Sequence, residues 1–392
     1  MIATKIALTG PKKDLNPDRP KRILSLDGGG IRGIVAAEVL LAIETLILDQ
    51  NKGWNCLADY FDLIGGNSTG ALIAASLAKG LRVREILDLY KNFGREMFTP
   101  NWFFGRLRAK YNPGPLERKL QEVLGANTLF GSDEIKTFLT IVTKNTVTQT
   151  DWFFVNHPNN KNFDRNSSIP LWKIVRASSA APTFFPPYSF QVDRKSYDFV
   201  DGAMSMYNNP AFRLFLEAVI EAYGINWEAK SERLLMISVG NGFSQEGIEP
   251  PGTVKEYNLI DWANYAVQTL MEDANVQQNQ LMKIISKMPK PESVNREMIK
   301  AHLPLLTDLK SFKNKDLSTN NQGDESLELL TYHRYTTEFS KERFAELDLG
   351  DIDPKKVASI DCVDQIDALS AIGKAIAKEQ VDLADFVGFL AR

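Results

Sequence analysis

Two glycine-rich turns, each placed between an apolar run and a helical segment, constrain the fold of this chain more than any other sequence feature. Apolar runs of strand length that alternate with helical segments are typical of a parallel β-sheet covered by helices. The predicted elements, in chain order, are a strand over 23–26, a loop over 27–33, a helix over 34–48, a strand over 60–64, a turn over 65–69 and a helix over 70–79. The sequence therefore predicts an α/β fold whose first two strands both end in glycine turns.

Later segments extend this sheet and then change character. Apolar runs with β-branched or aromatic residues predict further strands over 137–143, 152–155 and 234–239. After residue 245 the apolar residues recur at three-to-four spacing, which predicts helices. We therefore expect three parts in the chain: an N-terminal arm over 1–20, an α/β domain over 21–245, and a mainly helical extension over 246–392 that packs on the domain. The charged, proline-containing stretch over 11–22 is expected to be exposed.

The overall charge and the cysteine content exclude several classes of protein. The 392 residues include 46 Lys or Arg and 49 Asp or Glu, and the formal charge of −3 argues against a dedicated nucleic-acid-binding protein. Cys56 and Cys362 are too few for a disulfide framework or a cysteine metal site, so we expect no metal, no other cofactor and a cytoplasmic location. We find no signal peptide or membrane-spanning stretch, so any contact with a membrane is expected to be peripheral.

The first glycine turn fits two kinds of site. Gly28, Gly30 and Gly33 have the spacing of dinucleotide-binding loops, in which backbone amides meet a pyrophosphate. The same backbone can instead hold the oxyanion of an acyl-transfer reaction. A dinucleotide site needs an acidic residue after the second strand, where this chain has GGNSTG, and Asp27 would repel a pyrophosphate. The sequence favours an oxyanion loop, with nucleotide binding as the alternative.

The second glycine turn has the pattern of a nucleophile elbow. Residues 66–70, GNSTG, form a G-x-S-x-G sequence between a predicted strand and a predicted helix. Glycines on both sides permit a strained turn that exposes the Ser68 hydroxyl, and the following helix N-terminus favours negative charge beside it. The motif predicts a serine nucleophile.

A serine nucleophile needs a base, and the sequence offers two kinds. Of the histidines at 157, 302 and 333, His302 and His333 follow the serine in an order that a hydrolase triad permits, but both lie in surroundings typical of structural histidines. Asp201 follows a short apolar run, and a carboxylate at a strand end can face the serine across the edge of a parallel sheet. An Asp-Gly pair is also a common turn, so the residues alone leave the base open.

Several motifs in a fixed order resemble the patatin-like phospholipases, in particular bacterial members of that family. They are DGGGIRG at 27–33, GNSTG at 66–70, RASSAAPTFFPP at 176–187, DGA at 201–203 and LLMISVGNG at 234–242. The resemblance implies a three-layer α/β/α fold with a mainly parallel central sheet. It also implies that the domain over 21–245 is catalytic.

The resemblance further implies roles for individual residues. Ser68 corresponds to the nucleophile and Asp201 to its base, in a dyad that needs no histidine. The oxyanion loop corresponds to Gly28, Gly29, Gly30 and the segment around Arg32. The supporting motif positions are Gly66, Asn67, Thr69, Gly70, Gly202 and Ala203, the last of which is a permitted form of a position often held by glycine.

The activity that the resemblance implies is phospholipase A-type hydrolysis of carboxylic ester bonds in glycerophospholipids, at a membrane or micelle surface. Some bacterial enzymes of the family are nucleotide-activated effectors, so a nucleotide activator is a further expectation. The basic stretch over 283–315 is a candidate site for such a regulator. A histidine-dependent esterase of water-soluble substrates and a nucleotide-binding protein remain the alternatives.

Residues 79–119 contain ten Lys or Arg against four Asp or Glu, interleaved with aromatic residues. Such a mixture suits contact with an anionic membrane surface. It equally suits a pair of helices with aromatic residues in the core and cations in water. The sequence leaves both interpretations open.

Overall fold

An eight-stranded sheet organises the part of the chain that the structure describes. The computed structural model describes residues 8–11, 13, 18–50, 52–100, 109–244, 252–298 and 327–391. The strands are β1 (Lys21–Leu26), β2 (Leu63–Asn67), β3 (Phe138–Asn145), β4 (Thr150–Val155), β5 (Tyr188–Val192), β6 (Lys195–Asp201), β7 (Leu234–Val239) and β8 (Thr331–Tyr335). None of the helices described within those ranges is long and apolar enough to span a bilayer.

The described helices connect and cover these strands. They are α1 (Gly33–Leu48), α2 (Leu57–Tyr60), α3 (Thr69–Ala78), α4 (Val83–Met97), α5 (Pro113–Leu124), α6 (Phe163–Asn166), α7 (Leu171–Ser178), α8 (Ala211–Val219), α9 (Leu259–Ile285), α10 (Glu292–Met298), α11 (Lys341–Glu346), α12 (Pro354–Val357) and α13 (Ile366–Gln380). Short 3₁₀ turns complete several connections, including one directly after β6.

The strand order of the sheet is β5-β6-β3-β2-β1-β7-β8, with β4 also paired to β3. The pairs β1–β2, β1–β7, β2–β3 and β7–β8 are parallel. The pairs β3–β4, β3–β6 and β5–β6 are antiparallel. The sheet is therefore mainly parallel, as predicted, with its antiparallel strands gathered at one end.

Helices cover both faces of the sheet, and its central strands β1, β2 and β7 are therefore buried throughout. Successive side chains of a strand point to opposite faces, and β1 shows the result. Leu24 and Leu26 pack into a core with α1, α3 and α13, whereas Ile23 packs into a second core with α8 and α10. The structure confirms the predicted three-layer α/β/α architecture.

One predicted strand starts later than expected. The pattern over 60–64 predicted a strand, but β2 begins only at Leu63. Residues Leu57–Tyr60 instead form a helical turn, which is stabilised because the Asp59 carboxylate accepts a hydrogen bond from the Asn55 amide at 2.7 Å. This local cap outweighs the strand propensity of the aromatic residues.

The described part of the N-terminal arm is packed against the domain. Gly10 and Pro11 are buried, and the Gly10 amide donates to the Gly131 carbonyl at 3.0 Å. The Lys13 ammonium group donates to the Ala58 carbonyl at 2.5 Å. The expectation of exposure over 11–22 was wrong for Pro11, which is buried, and Lys13 is half-buried.

The segment after residue 245 contributes a strand as well as helices. β8 pairs in parallel with β7, with His333 opposite Ile237. α13 packs on α1 in the core on the other side of the sheet from α8. The sheet thus continues past the domain boundary proposed at residue 245, and that boundary remains a prediction.

Candidate active site

The serine turn lies where β2 ends and α3 begins. Ser68 has a φ of 54° and a ψ of −120°, a conformation that residues with a side chain rarely adopt. A Cβ on Gly70 would lie 2.4 Å from the Leu26 carbonyl oxygen, and one on Gly66 would lie 2.2 Å from the Gly70 oxygen. Only glycine fits on either side of Ser68, and the turn holds this serine at the N-terminus of α3.

A second serine fixes the backbone of the turn. The Ser68 amide donates to the Ser178 Oγ at 2.9 Å, and this hydroxyl donates to the Val142 carbonyl at 2.6 Å. Ser178 ends α7, inside the block that carries the family resemblance, but sequence reasoning gave it no role. The neighbouring Thr69 hydroxyl is hydrogen-bonded to the Tyr90 hydroxyl of α4. The turn is therefore bonded directly to α7 and α4, and Ser178 links it to β3.

Asp201 lies at the end of β6 and is 2% exposed. Its Oδ1 accepts a hydrogen bond from the Ala203 amide at 2.9 Å, in the turn that Gly202 begins. Burial raises the pKa of the Asp201 carboxyl to about 6, although hydrogen bonds from Ala203, Ser68 and Asn67 lower it. The structure thus places the predicted serine and the predicted carboxylate in one cleft, where the Ser68 hydroxyl and Asn67 lie near enough to favour the charged form of Asp201.

The glycine loop borders the same site, but only part of it has free amides. The Gly28 amide donates to the Asn208 carbonyl at 3.1 Å, and the Arg32 amide donates to the Gly29 carbonyl at 3.2 Å. Neither amide is available to an oxyanion. The Gly29 and Gly30 amides donate to no protein acceptor among the described residues, and both glycines line the cleft in which Ser68 lies. Of the amides in the predicted oxyanion loop that are described here, those of Gly29 and Gly30 therefore remain available to a ligand.

Asp27, directly before the glycines, is fixed by a buried ion network. Both of its carboxylate oxygens accept from Arg334 of β8, at 2.7 and 3.0 Å. Arg334 also donates twice to Glu297 of α10, each at 2.8 Å. Burial by itself would lower the pKa of Arg334, but attraction to Asp27 and Glu297 raises it well above its usual value. Sequence reasoning missed this network because its members are distant in the chain.

The cleft that contains Ser68 and Asp201, here called the serine cleft, has about 760 Å³ of empty space. Apart from these two residues and the glycines, its walls are largely apolar. Representative wall residues are Leu72 of α3, Met97 of α4, Leu116 of α5, Phe185 in the segment that follows α7, and Val267 and Met271 of α9. A long apolar chain fits such a cleft better than a polar substrate.

A sequence model of the patatin-like phospholipase family matches residues 24–215, which include the glycine loop, the serine turn and Asp201. The chain therefore contains a patatin-like phospholipase domain. The matched range ends before β7, so the patatin-like match contains neither α9 nor Arg334.

Two bacterial relatives of this patatin-like chain are each named cGAMP-activated phospholipase. The one from Vibrio cholerae serotype O1 is 33% identical over 243 residues, which cover 58% of this chain and 66% of the relative. The one from Escherichia coli strain TW11681 is 30% identical over 240 residues, which cover 59% of this chain and 65% of the relative. The chain thus spans slightly less than two thirds of the length of either relative.

Among solved structures, VipD from Legionella pneumophila matches with a TM-score of 0.37 and 12% identity. The match covers 94% of this chain and 72% of VipD.

The two histidines that the structure describes do not line the serine cleft. His157 and His333 are both buried, and burial lowers the pKa of each to about 4. The His333 Nδ1 lies 3.6 Å from an Asp385 carboxylate oxygen. His302 lies outside the described residues, as does most of the basic stretch over 283–315.

The aromatic residues of the stretch over 79–119 lie in the core or pack against it, as far as the structure describes them. Tyr90 and Tyr111 are buried, and Phe93 and Phe98 pack against the same core. Residues 101–108, which hold the other aromatic side chains of that stretch, lie outside the described residues. The described part therefore favours the helix-pair interpretation.

Proposed function

We propose that this protein is a lipid acyl hydrolase of phospholipase A type, with Ser68 as nucleophile and Asp201 as its base. The observation that carries the proposal is that these two side chains line the same apolar cleft, near enough for the Ser68 hydroxyl to favour the charged form of Asp201. The chain spans slightly less than two thirds of the length of its bacterial relatives, so we propose their activity for this chain on the geometry of its own site.

The proposed reaction is a two-step acyl transfer. The Ser68 hydroxyl attacks the ester carbonyl while Asp201 accepts its proton and passes it to the leaving alcohol. The Gly29 and Gly30 amides stabilise the negative oxygen of the tetrahedral intermediate, and donors of this kind are each worth about 3 to 4 kcal/mol. Water, activated by Asp201, then attacks the acyl-enzyme and releases the fatty acid. A carboxylate whose pKa lies near 6 is ionised at neutral pH and still basic enough to take a proton.

We further propose that the enzyme works at a lipid surface as a peripheral protein. The side chains of Leu259, Trp262, Tyr265 and Leu270 on α9 are 88, 45, 40 and 48% exposed. Another side of the same helix contributes Val267 and Met271 to the serine cleft. An apolar and aromatic surface beside the entrance for an acyl chain favours insertion into the boundary of a lipid layer.

A nucleotide activator is also part of this proposal. Both bacterial relatives are named for activation by cGAMP, and we extend the same class of ligand to this chain. This part of the proposal is tested by measuring fatty-acid release from phospholipid vesicles with and without cGAMP. Release that is equal under both conditions would contradict this part of the proposal.

The catalytic proposal is tested by replacing each member of the dyad. Ser68→Ala and Asp201→Ala are expected to lower fatty-acid release by at least about 100- to 10,000-fold, because a nucleophile and its base are both essential to the first step. Ser189→Ala, a change at an exposed serine of β5, is the matched control and should retain the wild-type rate. Release is followed by mass spectrometry, with cGAMP present throughout. Wild-type release by either dyad variant would falsify the assignment.

A further inference from the structure

A second cleft lies between β4, the segment that follows this strand, and α8. It has about 890 Å³ of empty space and shares no wall residue with the serine cleft. Four of its wall residues are aromatic: Trp152 and Phe153 of β4, Tyr207 and Tyr223. We call it the aromatic cleft. Its volume is in the range of small-molecule sites in proteins, and the proposed reaction makes no use of it.

The aromatic cleft has an excess of positive charge. Its wall contains three cations and one carboxylate, Asp151, which lies 2.8 Å from the ammonium group of a lysine outside the wall. Arg213 is paired with a buried glutamate of α8. Lys161 and Arg165 have no ion-pair partner within the described part of the chain. An anionic ligand would therefore meet two cations that no carboxylate compensates.

The two arginines of the cleft lie against aromatic rings. The Arg165 guanidinium is 5.1 Å from the centroid of the Trp152 ring. The Arg213 guanidinium is 4.3 Å from the centroid of the Phe153 ring and 4.2 Å from that of the Tyr223 ring. The Nε of each arginine is buried and has no hydrogen-bond partner among the described residues. Nucleobases stack on guanidinium planes and aromatic rings, and a phosphate oxygen suits an unpaired guanidinium donor.

One segment connects the aromatic cleft to the proposed dyad. Tyr207 of the aromatic cleft follows Asp201 by six positions, and Met204 between them lines the serine cleft. The next residue, Asn208, accepts a hydrogen bond from the Gly28 amide through its carbonyl at 3.1 Å. A ligand that moves Tyr207 therefore acts on the segment that carries the base and contacts the glycine loop.

The sheet provides a second connection. Thr143 of β3 pairs with Trp152 of β4 on one side and with Asp201 of β6 on the other. Its hydroxyl also donates to the Trp152 carbonyl at 3.1 Å. Adjacent strands lie about 5 Å apart, so the backbones of Trp152 and Asp201 are separated by roughly 10 Å. A ligand bound against Trp152 is thus one strand away from the proposed base.

We propose that the aromatic cleft is the site at which the nucleotide activator binds. Lys161 and Arg165 are the ligands of its phosphates, and a base stacks on the rings of the wall. The inference rests on the proposed function, since it gives that activator a place in the molecule. The ligand class is a cyclic dinucleotide, whose two phosphates match the two uncompensated cations. It activates because it binds more tightly when residues 201–208 hold Asp201 and the glycine loop in their reactive positions.

Calorimetric titration of cGAMP into the full chain tests the site without any catalytic readout. Arg165→Gln should raise the Kd roughly 10- to 100-fold, because one charge-assisted contact to phosphate is lost. Lys161→Gln, at an exposed ammonium group, should raise it about 2- to 5-fold. Arg84→Gln, at an exposed arginine of α4, is the matched control and should leave the Kd at its wild-type value. An unchanged Kd in both cleft variants would overturn the inference.

A third variant tests the stacking surface. Tyr223→Leu keeps an apolar side chain but removes the ring, and it should raise the Kd roughly 5- to 100-fold because stacking of a base is lost. An unchanged Kd would contradict the role of this ring. If Arg165→Gln does not fold, the exposed Lys161→Gln still tests the phosphate contact.

An anionic lipid head group is another source of phosphate. Co-sedimentation with dioleoylphosphatidylglycerol vesicles is therefore measured for wild type and Arg165→Gln, and both should bind equally. Weaker binding of the variant to vesicles, together with an unchanged Kd for cGAMP, would assign the cleft to lipid and overturn the inference.

Activity measurements connect the site to the dyad. In Arg165→Gln the cGAMP concentration for half-maximal fatty-acid release should rise by the same factor as the Kd. The rate at saturating cGAMP should match wild type, because Arg165 does not line the serine cleft. Fluorophosphonate labelling of Ser68, which needs no lipid, should show the same shift. A rate that falls equally at every cGAMP concentration would show a merely structural role and overturn the inference.

The two proposals fail in different ways. Wild-type protein that binds cGAMP but releases no fatty acid from vesicles would contradict the catalytic proposal and leave the nucleotide site intact. Wild-type protein that releases fatty acid but does not bind cGAMP would contradict the nucleotide site and leave the dyad intact.

Discussion

At the scale of single residues, the candidate site contains a strained backbone conformation and a buried carboxylate, both of which cost folding free energy. Ser68 has a positive φ, and Asp201 is a carboxylate buried away from water. Burial raises the pKa of Asp201 to about 6, so ionisation of this group opposes folding at neutral pH. A site of this kind lowers stability in exchange for reactivity.

Replacing Asp201 by Asn is therefore expected to stabilise the protein at high pH. The folded state binds the proton of Asp201 more tightly than the unfolded state, whose pKa is near 3.8, so stability is lost as the pH rises through about 6. Asp201→Asn carries no charge and should raise the free energy of unfolding at pH 8 by about 1–3 kcal/mol. The gain should shrink towards zero near pH 4, where the carboxyl is protonated in the folded protein. Urea unfolding at pH 8 and pH 4 measures both values.

The control for this experiment is Asp198→Asn on the same strand. Asp198 is exposed, so its replacement should change the free energy of unfolding little at either pH. A destabilised Asp201→Asn protein at pH 8 would show that contacts made by the charged carboxylate outweigh its burial.

Sequence patterns identified some of these residues and missed others for a physical reason. Ser68 was recognisable because a local pattern, strand, glycine turn and helix, specifies its conformation. Asp201 could not be separated from an ordinary Asp-Gly turn without the family resemblance. Ser178 and Arg334 act through hydrogen bonds to residues 110 and 307 positions away, and no local pattern encodes such contacts.

At the scale of elements, β8 links the glycine loop to the C-terminal segment. Arg334 of this strand is buried between the carboxylates of Asp27 and Glu297 and also donates to the Ser238 hydroxyl at 2.8 Å. The residues of β8 alternate in the manner typical of a strand, and this pattern was visible in the sequence. The position of β8 beside β7, however, depends on pairing between residues about a hundred positions apart. The element that orders the loop therefore lies outside the range that the family model matches.

Removing the cation from this network should destabilise the whole protein. Arg334→Met leaves two buried carboxylates without a counter-charge, and breaking a buried pair in this way costs about 3–5 kcal/mol. Urea unfolding at pH 7 should show a loss of this size. The triple variant Asp27→Asn, Glu297→Gln, Arg334→Met removes all three charges and should recover much of the loss. A single variant within 1 kcal/mol of wild type would contradict the account of the network.

The hairpin of β5 and β6 shows why some strands of the sheet were not predicted from the sequence. Its turn residues Asp193 and Arg194 both have positive φ values, of 52° and 64°. Hairpin turns of this kind usually contain Asn-Gly or Asp-Gly, which tolerate such angles. An Asp-Arg turn gives no comparable signal, whereas the predicted helix over 34–48 carried a long apolar run and is present as α1.

At the scale of the whole molecule, segments far apart in the chain enclose the serine cleft. The Ile360 carbonyl accepts a hydrogen bond from the Ile31 amide at 2.8 Å and lies 2.1 Å from where a Cβ of Gly30 would be. α9 closes the cleft from another side through Val267 and Met271. The C-terminal segment thus belongs structurally to the site, and α9 carries both cleft-lining residues and exposed apolar side chains.

This arrangement predicts that α9 determines activity on lipid layers but not on dissolved esters. The double variant Leu259→Ser, Trp262→Ser should bind phosphatidylethanolamine–phosphatidylglycerol vesicles roughly 10- to 100-fold more weakly, because two exposed apolar side chains no longer enter the layer. Hydrolysis of vesicle lipid should fall in proportion, whereas hydrolysis of a monomeric short-chain ester should not change. Co-sedimentation and fatty-acid release measure these effects.

The matched control is Val147→Ser, which removes a 57% exposed apolar side chain from the connection between β3 and β4. It should bind vesicles as wild type does, because Val147 is not part of the exposed apolar surface of α9. Equal weakening by the control would show that general surface hydrophobicity drives binding. Weakened hydrolysis of the monomeric ester by the double variant would instead show that Leu259 and Trp262 support the serine cleft itself, since a ligand that reaches the cleft from water needs no lipid layer.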